Sequence, residues 1–565
     1  MDSSPVTYSG APPYKLRRLN TSYPYASKLR ERDSLTVETF SGYINQESIS
    51  EKEVYEAMAT TAVLSTRMYL PSVLPNGIAT MTFLDHLKKS LPLPHSDKRL
   101  NPIFYRLAYI RDLVGQMEIE GIVERGTASR LLGARKPAGF VAGTYTHARD
   151  LSKTMSIANI RDAVLAIEAQ TRDQSESQLW ALLRRGLATA STMKWGALGP
   201  QYHPQWCELS TNSRGIPNNP ALQFGQTNER TARSLISALY VARSEAATPD
   251  LLMDPGCGQC FMFDESASVP GDAYACGLLI DARTGVVGAS LDMLVCDRDS
   301  NGVLSPHSTQ TTLDFFEIKC RAKYLFDPDL FSPVATAYAN LLKHRTAVCL
   351  RKFLRSIKNP AVEYFASNRV PGATEALITC NSSWKPREVN ETNRRCGDFD
   401  KDHLALNLDA SSDVWLFSEP DLELQTITPA RWDTGELALS VPVFANPRHP
   451  NFKQILVQAY VLSGHFPNHK LRPFLVTFIG RHRKKCEEGK TFTICDRPEG
   501  SPYNLNEVVH SSCAIPILLI VTPVIVDREG CWEDIEIESL TAFNKTSDAI
   551  WDNDSRVDVL EPTSL

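Results

Sequence analysis

A glutamate and a lysine alternate on a short apolar segment near the middle of the chain. Residues 315–319 (FFEIK) have the composition of a buried β-strand, on which Glu317 and Lys319 project from one face. Such groups are costly to bury unless they pair or bind a ligand. Asp292, at the end of the segment GASLD (288–292), adds a second carboxylate from a neighbouring strand. Together they predict an oxygen-ligand site for Mg²⁺ or Mn²⁺, with a lysine beside an attacking water, as metal-assisted phosphodiester hydrolysis requires.

The alternative for this segment is an exposed edge strand that carries an ordinary glutamate and lysine. A glutamate and a lysine two residues apart occur by chance in most proteins, so the triplet alone is weak. The flanking phenylalanines and the preceding Gly-x-Ser-x-Asp pattern favour the site.

Two further segments carry candidate polar residues. Residues 224–236 predict a turn followed by an amphipathic helix with Glu229 in its first turn, where a glutamate is also favoured by the helix dipole alone. Upstream, Trp180 begins a segment in which Arg184 and Ser191 place a basic group and a hydroxyl seven residues apart. An arginine that only solvates a helix surface is the alternative there.

The remaining candidates are weaker. Gln454, Gln458 and Tyr460 lie on a predicted helix, of which they could equally form an ordinary polar face. The basic run 481–485 (RHRKK) fits a phosphate-binding patch, a nuclear import signal or a solvated charge run. The pair Cys257 and Cys260 has metal-ligand spacing, but no second pair follows at the spacing of a zinc site.

The elements that must position these residues give an α/β chain. Residues 51–191 show helical periodicity, as in 159–171 (NIRDAVLAIEAQT). Residues 272–319 show short β-like runs, with a turn at Asp281–Gly285. Strand patterns return in 471–480 (LRPFLVTFIG) and 514–526 (AIPILLIVTPVIV). We therefore predict a central mixed sheet flanked by helices, with a helical N-terminal part and a C-terminal elaboration.

The composition shifts along the chain predict five regions. They are a flexible leader, a helical N-terminal region, a nuclease-like core with an insertion at about 325–435, a C-terminal elaboration and a frayed tail, at 1–48, 49–179, 180–485, 486–553 and 554–565.

Composition and charge exclude several classes of protein. Hydrophobic residues make up 42% and charged residues 22%, which excludes a mostly disordered chain, a coiled coil and a collagen-like fibre. The longest apolar stretch, Ala514–Val526, contains two prolines and is shorter than the about 20 residues of a transmembrane helix, so no membrane span is expected. The net charge of −5 does not indicate a nucleic-acid partner, although an acidic nuclease can gather its basic residues around one groove.

Taken in order, these motifs resemble the phage lambda-type exonucleases of the PD-(D/E)xK nuclease superfamily. The pattern W-x-x-L-R-x-G-x-x-T-A-S begins at Trp180, and G-x-x-x-E, a strand aspartate and E-x-K follow. The wording of GASLD, FFEIK and NPRHPNFKQILVQAYVL (446–462) is similar to the herpesvirus alkaline nucleases, in their alphaherpesvirus branch. The resemblance spans residues 180–485. It departs from the phage pattern in Leu291, which stands where the superfamily has a proline, and in a longer interval between Glu229 and Asp292.

The resemblance implies a role for each candidate. Asp292 and Glu317 would bind the metal directly, the backbone carbonyl of Ile318 would add a ligand, and Glu229 would complete the site directly or through water. Lys319 would orient or help deprotonate the attacking water. Arg184 and Ser191 would form a pocket for a 5′-phosphate. Supporting positions would be Gly288, Ser290 and Gln458.

The implied activity is Mg²⁺-dependent alkaline hydrolysis of DNA, 5′→3′ from an end with some endonuclease activity. The family implies processing of branched viral DNA for packaging, and recombination with a viral single-strand DNA-binding protein in the host nucleus, with the host cytoplasm as a second location. Two alternatives stay open: an RNA-directed nuclease, and a catalytically silent nucleic-acid-binding adaptor. Intact Asp292, Glu317 and Lys319 argue against the silent adaptor.

Overall fold

The structure is a computed structural model. It describes residues 70–90, 100–132, 145–190, 193–196, 199–201, 220–236, 239–240, 272–299, 301–306, 310–357, 362–365, 371–380, 398–494 and 509–558. The predicted leader, Ser191 and the Cys257–Cys260 pair lie outside these residues, as does much of the long interval between Glu229 and Asp292.

Helices dominate the first part of the chain and return around the sheet. The thirteen described helices, α1 to α13, are Asn76–Ala79, Phe83–Ser90, Pro102–Ile119, Thr127–Leu132, Tyr145–Thr154, Ile157–Gln170, Gln178–Arg184, Pro220–Ile236, Pro333–His344, Ala347–Ser356, Asp398–Asn407, Pro450–His465 and Arg528–Asp558. Helix α6 shows why these segments are helical. Ser156 and Asn159 form a capping box at its start, and Ile160, Val164 and Ile167 face the core at helical spacing.

The described chain also contains seventeen strands. They are β1 to β17, at Lys194–Gly196, Gly199–Gln201, Asp272–Tyr274, Leu279–Ile280, Gly288–Ala289, Met293–Cys296, Thr312–Cys320, Val362–Phe365, Leu377–Cys380, Ser412–Phe417, Thr426–Ile427, Pro429–Ala430, Ala438–Val441, Phe444–Ala445, Lys470–Arg481, Thr493–Ile494 and Ile515–Pro523.

Eight of these strands form the central sheet, in the order β12-β10-β17-β15-β7-β6-β3, with β13 also pairing with β10. β7 and β15 run parallel and the other described pairs of this sheet are antiparallel. The predicted central mixed sheet with flanking helices is confirmed. β4 and β5 form a separate hairpin around the predicted turn at Asp281–Gly285, where Gly285 adopts a φ of +67°.

The sheet has a hydrophobic core on each face. On β7, Leu313 and Phe315 join one core together with helix α12, whereas Phe316 and Ile318 join the other together with helix α8. This alternation is the one that the sequence predicts for the strand. A third core lies among the N-terminal helices and includes Phe543 from α13.

The central sheet draws strands from regions that the sequence analysis placed outside its core. β10 comes from the predicted insertion at 325–435, and β17 comes from the predicted elaboration at 486–553. β17 pairs with β10 on one side and β15 on the other, and its residues are buried up to Thr522. The strand pattern of β10 is difficult to recognise because polar segments flank it. Composition alone also does not show which strands become neighbours in a sheet. Helix α13 continues to Asp558, past the predicted start of a frayed tail at 554.

No helix among the described residues is long and apolar enough to cross a membrane.

Candidate functional site

The acidic candidates meet where β6 and β7 pair. The ladder pairs Met293 with Phe316, which places Asp292, directly before β6, next to Glu317 on β7. Asp292 Oδ2 accepts a hydrogen bond from the backbone N–H of Ile318 at 2.8 Å. The N–H of Ile318, rather than its carbonyl, therefore contacts this carboxylate in the structure.

Glu317 and Lys319 contact each other on the same face of β7, as the strand period predicts. Lys319 Nζ donates to Glu317 Oε1, and Glu317 is fully buried. Burial and the neighbouring Asp292 carboxylate raise the pKa of Glu317 well above its usual range, against the opposing effect of Lys319. Burial lowers the pKa of Lys319, but Glu317 and Asp292 outweigh it and raise this pKa above its ordinary value. Asp292 and Glu317 thus both stabilise the charged form of Lys319.

Glu229 lies in the middle of helix α8, and its predicted place in a first turn is wrong. The helix begins at Pro220 and runs through Gly225, which the sequence suggested as a turn. Packing of α8 against the sheet maintains the helix through this glycine, at a cost of about 1 kcal/mol relative to alanine. The helix-dipole alternative for Glu229 therefore does not apply.

The environment of Glu229 links it to the other carboxylates. Burial and the Asp292 carboxylate raise its pKa, while Arg233 and Lys319 act in the opposite direction. Arg233, one turn later on α8, donates from Nη2 to Glu229 Oε1 at 2.6 Å and from Nε to the backbone carbonyl of Asp292 at 2.8 Å. Glu229, Asp292 and Glu317 are therefore close enough to interact electrostatically.

Helix α12 places one of its three polar candidates in the site. Gln458 is buried, and its Nε2 donates to Glu317 Oε2 at 2.6 Å and to the carbonyl of Ser290 at 3.3 Å. Tyr460 instead donates to Asp281 Oδ2 at 3.1 Å in the hairpin turn. Gln454 is partly exposed. The structure thus separates Gln458 from the other two candidates.

The arginine candidate is connected to this site through Trp180. The guanidinium of Arg184 lies 4.7 Å from the centre of the Trp180 ring, and its Nη2 is 3.4 Å from Thr189 Oγ1. The indole Nε1 of Trp180 donates to Ser290 Oγ at 2.9 Å. Burial lowers the pKa of Arg184. Ser191, the hydroxyl predicted to share a phosphate pocket with Arg184, lies outside the described residues.

Gly288 lies where the two segments of this connection meet. The N–H of Gly288 donates to the carbonyl of Ala188 at 2.9 Å, which joins the segment after α7 to β5. A Cβ atom at this position would lie 2.7 Å from Leu187 Cδ1. Any other residue at this position would require the Leu187 side chain to move.

The carboxylates of Glu229, Asp292 and Glu317 are oxygen ligands of the kind that Mg²⁺ prefers, but they are not arranged around a common metal position. Among the described residues, no group of three or more histidine, cysteine, aspartate or glutamate side chains is arranged to hold a metal ion. Burial and the Asp292 carboxylate raise the pKa values of Glu229 and Glu317 even though Arg233 and Lys319 lie beside them, so a further cation here would offset this effect. The buried Oε1 of Gln458 also has no hydrogen-bond partner within the described part of the chain. The types of donor therefore suit a divalent cation, although Lys319 contacts Glu317 Oε1 in this arrangement.

The basic run 481–485 contributes mainly to the fold. Arg481 is fully buried and donates to Glu487 and to Glu419 at 2.7–2.8 Å. Arg483 donates to backbone carbonyls, including that of Cys513 at 2.7 Å. Neither arginine belongs to a solvated charge run, and neither is placed as a phosphate ligand.

The sequence analysis did not identify three contacts of this site. They are the two hydrogen bonds of Arg233 to Glu229 and to the Asp292 carbonyl, the bond of Trp180 to Ser290, and the contact of Thr189 with Arg184. The first had a local signal, because Arg233 follows Glu229 at the i, i+4 spacing of a helix-surface ion pair. The bond from Trp180 to Ser290 joins positions far apart in the chain.

Comparison with known proteins places this arrangement in a family. A family model for viral alkaline exonucleases matches residues 33–559. The chain is 89% identical over 564 residues to the alkaline nuclease of equine herpesvirus 1 (strain Ab4p), with 100% of both chains covered. It is 43% identical over 494 residues to the alkaline nuclease of human herpesvirus 2, covering 85% of this chain and 76% of the relative.

A solved structure shares the fold. The crystal structure of the shutoff and exonuclease protein from Kaposi's sarcoma-associated herpesvirus matches with a TM-score of 0.59 at 19% identity, covering 84% of this chain and 91% of that one. At this identity the likeness shows the fold alone. The family match covers most of the chain, and its range includes Asp292, Glu317 and Lys319. The chain therefore belongs to the viral alkaline exonuclease family and is a nuclease.

Proposed function

We propose that this nuclease hydrolyses DNA with Mg²⁺, in the 5′→3′ direction from an end and with endonuclease activity, at alkaline pH. The observation that carries the proposal is the meeting of Asp292, Glu317 and Lys319 at the β6–β7 junction, beside Glu229. The alkaline preference follows the name given to the equine and human herpesvirus relatives.

In this proposal Asp292, Glu317 and Glu229 would hold the cation, with the carbonyl of Ile318 as a further ligand. A divalent cation in such a site lowers the pKa of a bound water and offsets charge on the phosphate. Mn²⁺ would substitute for Mg²⁺ because both prefer oxygen ligands. Lys319 would orient the attacking water and offset charge on the phosphate, and Gln458 would hold Glu317 through Oε2.

Arg184 and Ser191 would bind the 5′-phosphate of the end being digested. A guanidinium fork and a hydroxyl suit a compact dianion. The support for Arg184 is its connection through Trp180 to Ser290, two residues before Asp292. This connection would set the distance between the bound end and the bond that is cleaved.

The biological part of the proposal rests on the family. The enzyme would process branched viral DNA before packaging, and would act in recombination with a viral single-strand DNA-binding protein. Its location would be the host nucleus, with the host cytoplasm as a second site.

A second candidate is cleavage of RNA. A relative in alcelaphine herpesvirus 1, 25% identical over 480 residues, is named a shutoff alkaline exonuclease. The Kaposi's sarcoma-associated herpesvirus protein has been solved in complex with RNA as well as with DNA. A metal site of this kind acts on the phosphate and does not by itself distinguish the two sugars.

Purified protein incubated with end-labelled DNA duplexes and with RNA of the same sequence, with and without Mg²⁺, tests both candidates. We expect Mg²⁺-dependent DNA cleavage, and its loss in Asp292→Ala, Glu317→Ala and Lys319→Ala with a retained circular dichroism spectrum, because these changes remove transition-state stabilisation rather than core. Glu436→Ala, at an exposed position, is the control. Turnover of Glu317→Ala at the rate of the unmodified protein would contradict the assigned site, and faster cleavage of RNA would favour the second candidate.

A further inference from the structure

Arg233 joins the helix that carries Glu229 to Asp292, the residue directly before β6. Its Nη2 donates to Glu229 Oε1 at 2.6 Å and its Nε donates to the Asp292 carbonyl at 2.8 Å. One planar guanidinium therefore fixes a side chain on α8 and a backbone group in front of the sheet at the same time. Lysine, with a single ammonium on a flexible stem, does not reproduce this two-point contact.

The contact is an ion pair that also constrains geometry. The side chains of Arg233 and Glu229 are 23% and 29% exposed, so water and salt weaken their attraction. Its geometric effect remains, because the two hydrogen bonds set where the Glu229 carboxylate lies relative to Asp292.

Other residues of α8 contact a different part of the protein, the segment directly before β17. Asn228 Oδ1 accepts from the N–H of Ala514 at 2.9 Å, and Thr231 Oγ1 lies 3.6 Å from Cys513 Sγ. These contacts fix the helix against the segment that leads into β17. Arg233 fixes it against the strand that bears the metal-binding candidates.

We propose that Arg233 is a positioning residue of the metal site, which holds Glu229 Oε1 and the Asp292 carbonyl so that the Glu229 carboxylate faces the one on Asp292. The proposal rests on the proposed function, because it takes these two residues as metal ligands. It adds that the orientation of the Glu229 carboxylate is fixed by Arg233, which is not itself a metal ligand.

The sign of the effect on metal affinity separates positioning from charge. Arg233 is a cation beside a cation site, so by Coulomb attraction alone its removal would strengthen metal binding. If Arg233 positions Glu229, its removal weakens metal binding, as loss of groups that orient metal ligands does, by about 10- to 100-fold.

The test is Mn²⁺ binding to the full-length protein without nucleic acid, followed by the electron paramagnetic resonance signal of free Mn²⁺. We expect Arg233→Gln to weaken binding at least tenfold, and Arg233→Lys to lie between it and the unmodified protein. Arg230→Gln, an exposed arginine on the same helix, should bind as the unmodified protein does. In a Glu229→Gln background, Arg233→Gln should cause little further loss, because the group that it positions is already absent.

Three results would overturn the proposal. They are unchanged or tighter binding by Arg233→Gln, a full further loss in the Glu229→Gln background, and Arg233→Lys equal to the unmodified protein. If Arg233→Gln does not fold, Arg233→Lys, compared alone and with Glu229→Gln, decides the question. Absence of Mn²⁺ binding by the unmodified protein would overturn both this proposal and the metal site on which it rests, whereas normal binding with an inert Arg233 would overturn this proposal alone.

Discussion

Gln458 offers a quantitative test of how the site holds its buried glutamate. Its Nε2 donates to Glu317 Oε2 at 2.6 Å inside the core, and the side chain is 2% exposed. Leucine has nearly the same volume, so Gln458→Leu removes the hydrogen bond without opening a cavity. A hydrogen bond to a charged acceptor contributes about 1.5–3 kcal/mol.

The expected effect on rate follows from this magnitude. If the bond serves to orient Glu317 in the transition state, its loss lowers kcat by roughly 10- to 150-fold, at 1.36 kcal/mol for each factor of ten. The free energy of unfolding should fall by about 1–3 kcal/mol, because Glu317 stays buried with one partner fewer. Gln458→Glu should be more damaging than Gln458→Leu, since it sets a second carboxylate against Glu317.

The assay is the initial rate on saturating duplex DNA over a range of Mg²⁺ concentrations, with urea unfolding of the same samples. Gln454→Leu is the matched control, because it is the same substitution one turn earlier on α12, at a partly exposed position. Equal rates for the Gln458 and Gln454 variants would refute the reasoning. A loss of stability with an unchanged rate would assign Gln458 to the fold instead of to the site.

Three further outcomes are expected. Arg184→Ala should slow digestion of 5′-phosphorylated duplex far more than nicking of a closed circle, and equal slowing of both would remove the phosphate pocket. Arg481→Met should lower the free energy of unfolding by about 3–5 kcal/mol, because Glu487 remains buried without its partner, whereas exposed Lys485→Ala should change it little; similar losses in urea unfolding would contradict this. Burial lowers the pKa of His465 from 6.5 to about 4, so its neutral form stabilises the fold fully above pH 6.5 and this contribution is lost towards pH 4. His465→Gln should therefore reduce the slope of unfolding free energy between pH 6.5 and 4.5 by about 1.4 kcal/mol per pH unit, and an unchanged slope would exclude His465 as its source.

Local periodicity accounts for what could be predicted from the sequence. The alternation on β7 places Glu317 and Lys319 on one face and Phe316 and Ile318 on the other, and the structure agrees. Helix α6 likewise follows from its 3.6-residue spacing and its capping residues. These features depend on neighbours within a few positions, which one sequence displays directly.

Other features depend on which segments become neighbours in space. The sequence pattern predicts a strand at β17, but it does not show that β17 pairs with β10 in the central sheet, because sheet order is set by long-range packing and not by the composition of each strand. Glu229 was predicted at a helix start because Phe224-Gly225 resembles a turn, but packing of α8 on the sheet continues the helix through that glycine.

The site divides in the same way. The sequence by itself determined the residue types and their order, because a hard-cation nuclease site needs carboxylates and a lysine on adjacent strands. Only the tertiary structure decided that Arg233 bridges Glu229 to Asp292, and that Gln458 rather than Gln454 reaches Glu317. It also decided that Arg481 is a buried partner of acidic residues and not part of a surface patch. The physical reason is that a side chain's type is local, whereas its partner and its burial depend on contacts between distant segments that form only when the chain folds.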